Sequence, residues 1–135
     1  MMNSRIYKEV TFDASHRLLH YQGKCSSLHG HRWRVEVWIE GPVQEATGIL
    51  IDYNRIREII EQFDHQVILN EEDPMAECLS RYQTVVTTPG DPTSEMLVSV
   101  IHEMIARECE DQDFPARVVN LRVWESPGCY AELVP

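Results

Sequence analysis

Between His29 and Ile39 the chain alternates so regularly that a strand is the natural reading. His29, His31, Trp33, Val35, Val37 and Ile39 take every second position. Arg32, Arg34, Glu36 and Glu40 share the other set, with Trp38 the exception. Side chains of a β-strand point to its two faces in turn, so a period of two marks a strand with one face buried and one solvated. Gly41-Pro42 ends the pattern. Upstream, Val10, Phe12, Ala14 and His16 fall on one face of a first strand predicted over Arg5 to His16. The polar stretch from Arg17 to Leu28, with Gly23 and Ser26-Ser27, reads as the loop between them.

Parity then places the histidines. His29 and His31 are two apart on a strand and point the same way. If the two strands pair as an antiparallel hairpin, the end of the first lies beside the start of the second. His16 then stands next to His29 and His31, and all three continue the apolar face at its end. Three neutral imidazoles suit a tetrahedral zinc ion with its fourth position open, as a catalytic site needs and a closed structural site does not. A lone histidine at a strand end is more often a hydrogen-bonded residue of the fold, but three brought together by the parity of two strands favour a metal. Gly30 fits a close approach of backbone, because it has no Cβ. His20 lies in the loop with no parity to place it and stays outside the set.

Two helices are predicted next. Asp52 is a plausible N-cap, and Ile56, Ile59, Ile60 and Phe63 give one apolar stripe that ends near Asp64-His65. Asp91-Pro92 reads as an N-cap with proline in the first turn, followed by Leu97, Val100, Ile101, Met104 and Ile105 at helical spacing. The stretch from Glu71 to Asp91 is long for a plain connection and leaves room for a short element of its own. Two strands close the chain. Val119, Leu121, Val123 and Glu125 share a face of the first, and Cys129, Ala131 and Leu133 alternate in the second, after a turn at Pro127-Gly128. The order β-β-α-α-β-β predicts a two-layer α+β domain over residues 1–135.

Composition limits the function. The 135 residues, 43% hydrophobic and 25% charged, suit one globular domain. A net charge of -10, from 22 acidic and 12 basic residues, disfavours a nucleic-acid partner, which needs a basic surface. A small anionic substrate stays open, since its binding depends on the local field of a cleft. No apolar run is long enough to cross a bilayer, and Met1 to Val10 lacks the pattern of a secretory signal. Cys25, Cys78, Cys109 and Cys129 form no CxxC pair and are expected to be reduced thiols of a cytoplasmic protein.

Several strings, taken in order, resemble the 6-pyruvoyltetrahydropterin synthase family: FDASHRL (Phe12 to Leu18), KCSSLHGH (Lys24 to His31), GILIDY (Gly48 to Tyr53), FDHQVILN (Phe63 to Asn70), DPTSE (Asp91 to Glu95) and VWESPGCYAE (Val123 to Glu132). Cys25 stands four residues before His29, a spacing that resembles the bacterial 6-carboxytetrahydropterin synthase branch of the queuosine (7-deazaguanine) pathway. The resemblance implies a tunnelling fold, with a four-stranded antiparallel sheet and two helices on one face. It also implies a homohexamer, in which three subunits join sheets into a barrel and two trimers stack. One departure is the stretch between Asn70 and Pro92, longer here than in compact bacterial members.

The resemblance also implies a reaction. The substrate would be the small molecule 7,8-dihydroneopterin triphosphate, converted to 6-carboxytetrahydropterin with release of triphosphate and acetaldehyde. Zinc would assist loss of protons beside developing carbonyls. Cys25 is the expected general base, acting as thiolate, a form that a nearby cation favours. Asp64 and His65 form the second proton-transfer pair by resemblance; as bare sequence they read equally well as a helix C-terminus. Glu125, a carboxylate at the end of an apolar face, needs a partner, and the resemblance assigns it to the pterin's amino group and ring N–H. Thr93, Ser94 and Glu95 open a helix, and the family pattern puts their backbone in the pterin pocket. Arg17, Lys24, Arg32 and Arg34 are all open as partners of the triphosphate.

Overall fold

The computed structural model describes residues 2–135. Along the chain run β1 (Asn3–His16), β2 (His29–Pro42), α1 (Tyr53–Ile60), β3 (Gln66–Asn70), α2 (Pro74–Ser80), β4 (Val85–Thr88), α3 (Ser94–Asp111), β5 (Arg117–Ser126) and β6 (Cys129–Leu133). Short 3-10 turns occupy Lys24–Ser26 and Glu61–Phe63. The alternation of the first two strands is realised as one long antiparallel pairing, unbroken from Asn3 opposite Pro42 to His16 opposite His29.

The four strands read from the sequence are present, with β2 pairing β5 and β5 pairing β6, all antiparallel. The sheet nevertheless has six strands, in the order β4-β3-β1-β2-β5-β6, and is mixed rather than antiparallel. β3 joins β1 in parallel, and β4 joins β3 in parallel. The expected four-stranded sheet with two helices thus becomes six strands with three helices. The extra strand β3 escaped the period-two reading because Val67, Ile68, Leu69 and Asn70 are all buried, so neither face alternates. The long stretch after Glu71 holds α2 and β4.

One face of the sheet carries the core. Phe12 stacks on Trp33 at a 6.1 Å centroid distance and meets Phe63 at 5.7 Å. Against this face lie Ile56, Ile59 and Ile60 of α1 and Leu97, Val98, Ile101 and Ile105 of α3. Val98 takes an inner place on α3, while Val100 and Met104 are only partly buried. In β5, Leu121 and Val123 face inward as expected, but Val118 is buried in place of Val119. A register shift opposite Trp38 and Ile39 inserts an extra residue there and reverses the parity beyond it. Asp52 caps α1, its carboxylate accepting from Asn54 N at 2.8 Å. The cap of α3 is Thr93, accepting from Met96 N at 3.0 Å, and not Asp91. Among the described residues no helix is long and apolar enough to cross a membrane.

Candidate metal centre

The register of the hairpin builds the centre. His16 is paired with His29, and Ala14 with His31, so the three rings leave the same face at the same end. Their centroids stand 4.7, 4.9 and 5.2 Å apart. One ring nitrogen of each lies within 4.8 Å of those of the other two. Trp33 forms the floor, 4.9 Å from the His16 ring and 5.6 Å from that of His31, and its Nε1 donates to Ala14 O.

Two rings are oriented from behind. The Nδ1 of His16 lies 2.7 Å from Pro92 O, and the Nδ1 of His29 lies 2.6 Å from Ser27 O. A carbonyl can only accept, so each Nδ1 carries the proton and each Nε2 keeps its lone pair. The Nε2 atoms of His16 and His31 are buried and have no hydrogen-bond partner among the described residues. His31 Nε2 is 3.3 Å from Glu125 Oε1 but makes no hydrogen bond to it. Buried polar atoms are rarely left alone, so these atoms fit a cation between them. Burial holds His16 and His31 below the usual imidazole range, and each feels the neighbouring His29. Neutral imidazole is the form that ligates. Gly30 was expected to permit close approach, but a Cβ there would meet nothing nearer than Ala14 O at 3.8 Å, an ordinary contact.

The other expected residues divide into near and far. Glu125 adjoins His31. Thr93 follows Pro92, the carbonyl partner of His16; Ser94 Oγ donates to Glu95 Oε1. Cys25 is half-buried in the 3-10 turn, where its carbonyl accepts from Leu18 N at 2.8 Å; its thiol is not part of the three-residue cluster. Asp64 and His65 lie elsewhere. Asp64 Oδ2 is 3.0 Å from His65 Nδ1, and its Oδ1 accepts from Asp13 N. That backbone donor, then His65, holds the Asp64 carboxyl below its ordinary range. His65 sits at φ 58, in the left-handed region, tied by its N–H to Asp13 O. It shares a cleft of about 520 Å³ with Asp13, Ser15 and Arg32, whose side chains leave the face opposite to that of His16; Gly30 and His31 border it. The chain therefore brings the histidines and Glu125 together but sets the Asp64–His65 pair apart from them.

Of the four basic candidates, three are engaged. Arg17 grips Asp73 through two bonds of 2.5 and 2.6 Å, Arg32 grips Asp13, and Arg34 reaches Glu9 while stacking 4.5 Å over the Trp124 ring. Lys24 makes no ion pair among the described residues. Sequence reasoning missed the two orienting carbonyls, Asp73 and the true use of Asp91. Only the last had a signal, and Asp-Pro before a helix imitates a cap.

Comparison with known proteins agrees with this geometry. The family model described as 6-pyruvoyl tetrahydropterin synthase matches residues 5–135. A protein of Pyrococcus abyssi named putative 6-carboxy-5,6,7,8-tetrahydropterin synthase is 37% identical, covering 96% of this chain and 88% of its own. The Rickettsia felis 6-carboxy-5,6,7,8-tetrahydropterin synthase is 30% identical over 93% of this chain and 96% of its own. The crystal structure of 6-pyruvoyl tetrahydropterin synthase from Plasmodium vivax superposes with a TM-score of 0.72 at 20% identity, covering 98% of each chain, which establishes the likeness of fold. With its three-histidine cluster, its mixed sheet and a family match along nearly its whole length, the chain belongs to the 6-pyruvoyl tetrahydropterin synthase family.

Proposed function

We propose that residues 1–135 act as one pterin-synthase domain, a zinc-dependent lyase. It converts 7,8-dihydroneopterin triphosphate to 6-carboxytetrahydropterin and releases triphosphate and acetaldehyde, a step toward the 7-deazaguanine queuosine. The observation that carries the metal reading is the pair of buried, unpartnered Nε2 atoms of His16 and His31 beside His29. The carboxy product is favoured by the names of the Pyrococcus abyssi and Rickettsia felis relatives and by the four-residue step from Cys25 to His29.

His16, His29 and His31 would hold zinc, which supplies Lewis acidity to the substrate's side chain and favours loss of its protons. The remaining work belongs to the chain. Cys25 Sγ takes a proton from a side-chain carbon. Asp64 Oδ2 holds the Nδ1 of His65, so that Nε2 is the atom that exchanges a proton. The pair lies beside Asp13 and Arg32, off the histidine face; the homohexamer that the family resemblance implies would offer it the substrate of a neighbouring copy. Glu125, beside His31, anchors the pterin's amino group and ring N–H, with the Thr93-Ser94-Glu95 backbone lining the same pocket. Lys24, which makes no ion pair among the described residues, is the cation offered to the triphosphate. Four free cysteines accord with a reducing cytoplasm.

The test is incubation of the protein with 7,8-dihydroneopterin triphosphate, with and without a chelator, followed by product mass measurement. The carboxy product with acetaldehyde, lost on chelation, is expected. The pyruvoyl product would favour the sister activity, a reading supported by the name of the matching family model. Turnover that Cys25→Ala abolishes would exclude a non-catalytic zinc- or pterin-binding protein.

A further inference from the structure

We infer that Asp91 is a positioning residue whose carboxylate fixes the candidate metal ligand His16 and the thiol-bearing turn of Cys25 relative to each other. Three donors converge on it. Oδ1 accepts from Leu19 N at 2.9 Å and from Asn70 Nδ2 at 3.0 Å, and Oδ2 accepts from His20 N at 2.9 Å. Leu19 and His20 belong to the stretch that leaves β1 directly after His16. The preceding residue, Leu18, donates its N–H to Cys25 O at 2.8 Å. A carboxylate that holds two consecutive backbone amides thus indexes the strand end and, through Leu18, the turn that carries the thiol.

A second route runs through the backbone of Asp91 itself. Thr93 N donates to Asp91 O at 2.8 Å, an i to i+2 bond that closes a γ-turn around Pro92. Proline has the φ that such a turn requires. The Pro92 carbonyl is therefore fixed between the carboxylate clasp on one side and the Thr93 cap of α3 on the other. That carbonyl receives His16 Nδ1 at 2.7 Å. Thr93 already caps the helix, so the Asp91 carboxylate is not needed there. Charge-assisted bonds of this kind are the strong ones, and partners behind a metal ligand set its direction.

The inference rests on the metal reading of the three histidines, and the experiment separates the two. Zinc affinity is measured by chelator competition on the full-length protein, with the visible spectrum of the cobalt-substituted form and the rate of Cys25 alkylation mapped by mass. In Asp91→Ala, zinc affinity is expected to fall by about 10–100-fold, with an altered cobalt spectrum and alkylation rate. Asp91→Asn keeps one acceptor oxygen and is expected to recover part of the affinity. A smaller loss in a folded Asp91→Ala, or no recovery with asparagine, would overturn the assignment. If Asp91→Ala does not fold, Asp91→Asn decides alone: reduced affinity with an altered cobalt spectrum supports the clasp, and wild-type values overturn it. His16→Ala is the reference. Should it bind zinc as tightly as wild type, the metal reading falls and this inference with it; should it lose zinc while Asp91→Ala does not, only this inference falls.

Discussion

The β1–β2 hairpin and the strap from Gln66 to Pro92 meet at His16 and serve the three-histidine cluster differently. The hairpin supplies side chains. Its parity alone sets which residues face the core and where the imidazoles cluster. The strap supplies no candidate ligand. It contributes a backbone carbonyl at Pro92 and carboxylates at Asp73 and Asp91, each gripping the stretch from His16 to His20 across more than 50 positions of sequence. Identity of the ligands is thus local, while the direction of His16 is set at long range and that of His29 by Ser27 O two residues away.

Substitutions can break this contrast, and the largest effect belongs to the hairpin. Replacing His16 with alanine should lower kcat/KM at least about a thousandfold, because a lost Lewis acid removes several kcal/mol of transition-state stabilisation; steady-state product formation checks this. Phe12→Ala, beneath the same face and stacked between Trp33 and Phe63, should cost about 3–5 kcal/mol in urea unfolding.

The strap should answer on a smaller scale. Asp73→Ala leaves Arg17 without its partner and α2 without its cap, a loss of about 3 kcal/mol at neutral pH. Arg17 holds the Asp73 carboxyl below its ordinary range, so the folded state releases that proton more readily than the unfolded one. The stability from this pair is therefore present above a pH of about 4, the unfolded value, and fades as pH falls through the folded one. Urea midpoints measured from pH 7 down to 3 should show that decline in wild type, and less of it in Asp73→Ala. The smallest effect is expected on the solvated face, where Arg32→Gln removes an exposed pair with Asp13 and should leave the midpoint unchanged within error.

The same contrast explains what could be read in advance. The hairpin, both main helices and the three histidines were legible because each rests on a period within a few residues. β3 was not, since a strand buried on both faces has no alternation to detect. Val118 replaced Val119 because a bulge reverses parity without leaving a mark in composition. Asp91 resembled a cap because Asp-Pro carries the same local signal whether its carboxylate turns to the helix or to a distant loop. The setting of Asp64 and His65 depends on a left-handed residue docked on Asp13, a long-range fact. Glu125 stood out because a carboxylate ending an apolar face demands a partner; it adjoins His31 at 3.3 Å, and its role as pterin anchor belongs to the proposed function.

X-ray absorption at the zinc edge, combined with metal analysis of the purified protein, tests the centre most directly. One zinc per chain with three imidazole nitrogens at about 2.0–2.1 Å and no sulfur neighbour is the expected result. Absence of stoichiometric metal, or a shell containing the Cys25 sulfur, would contradict it.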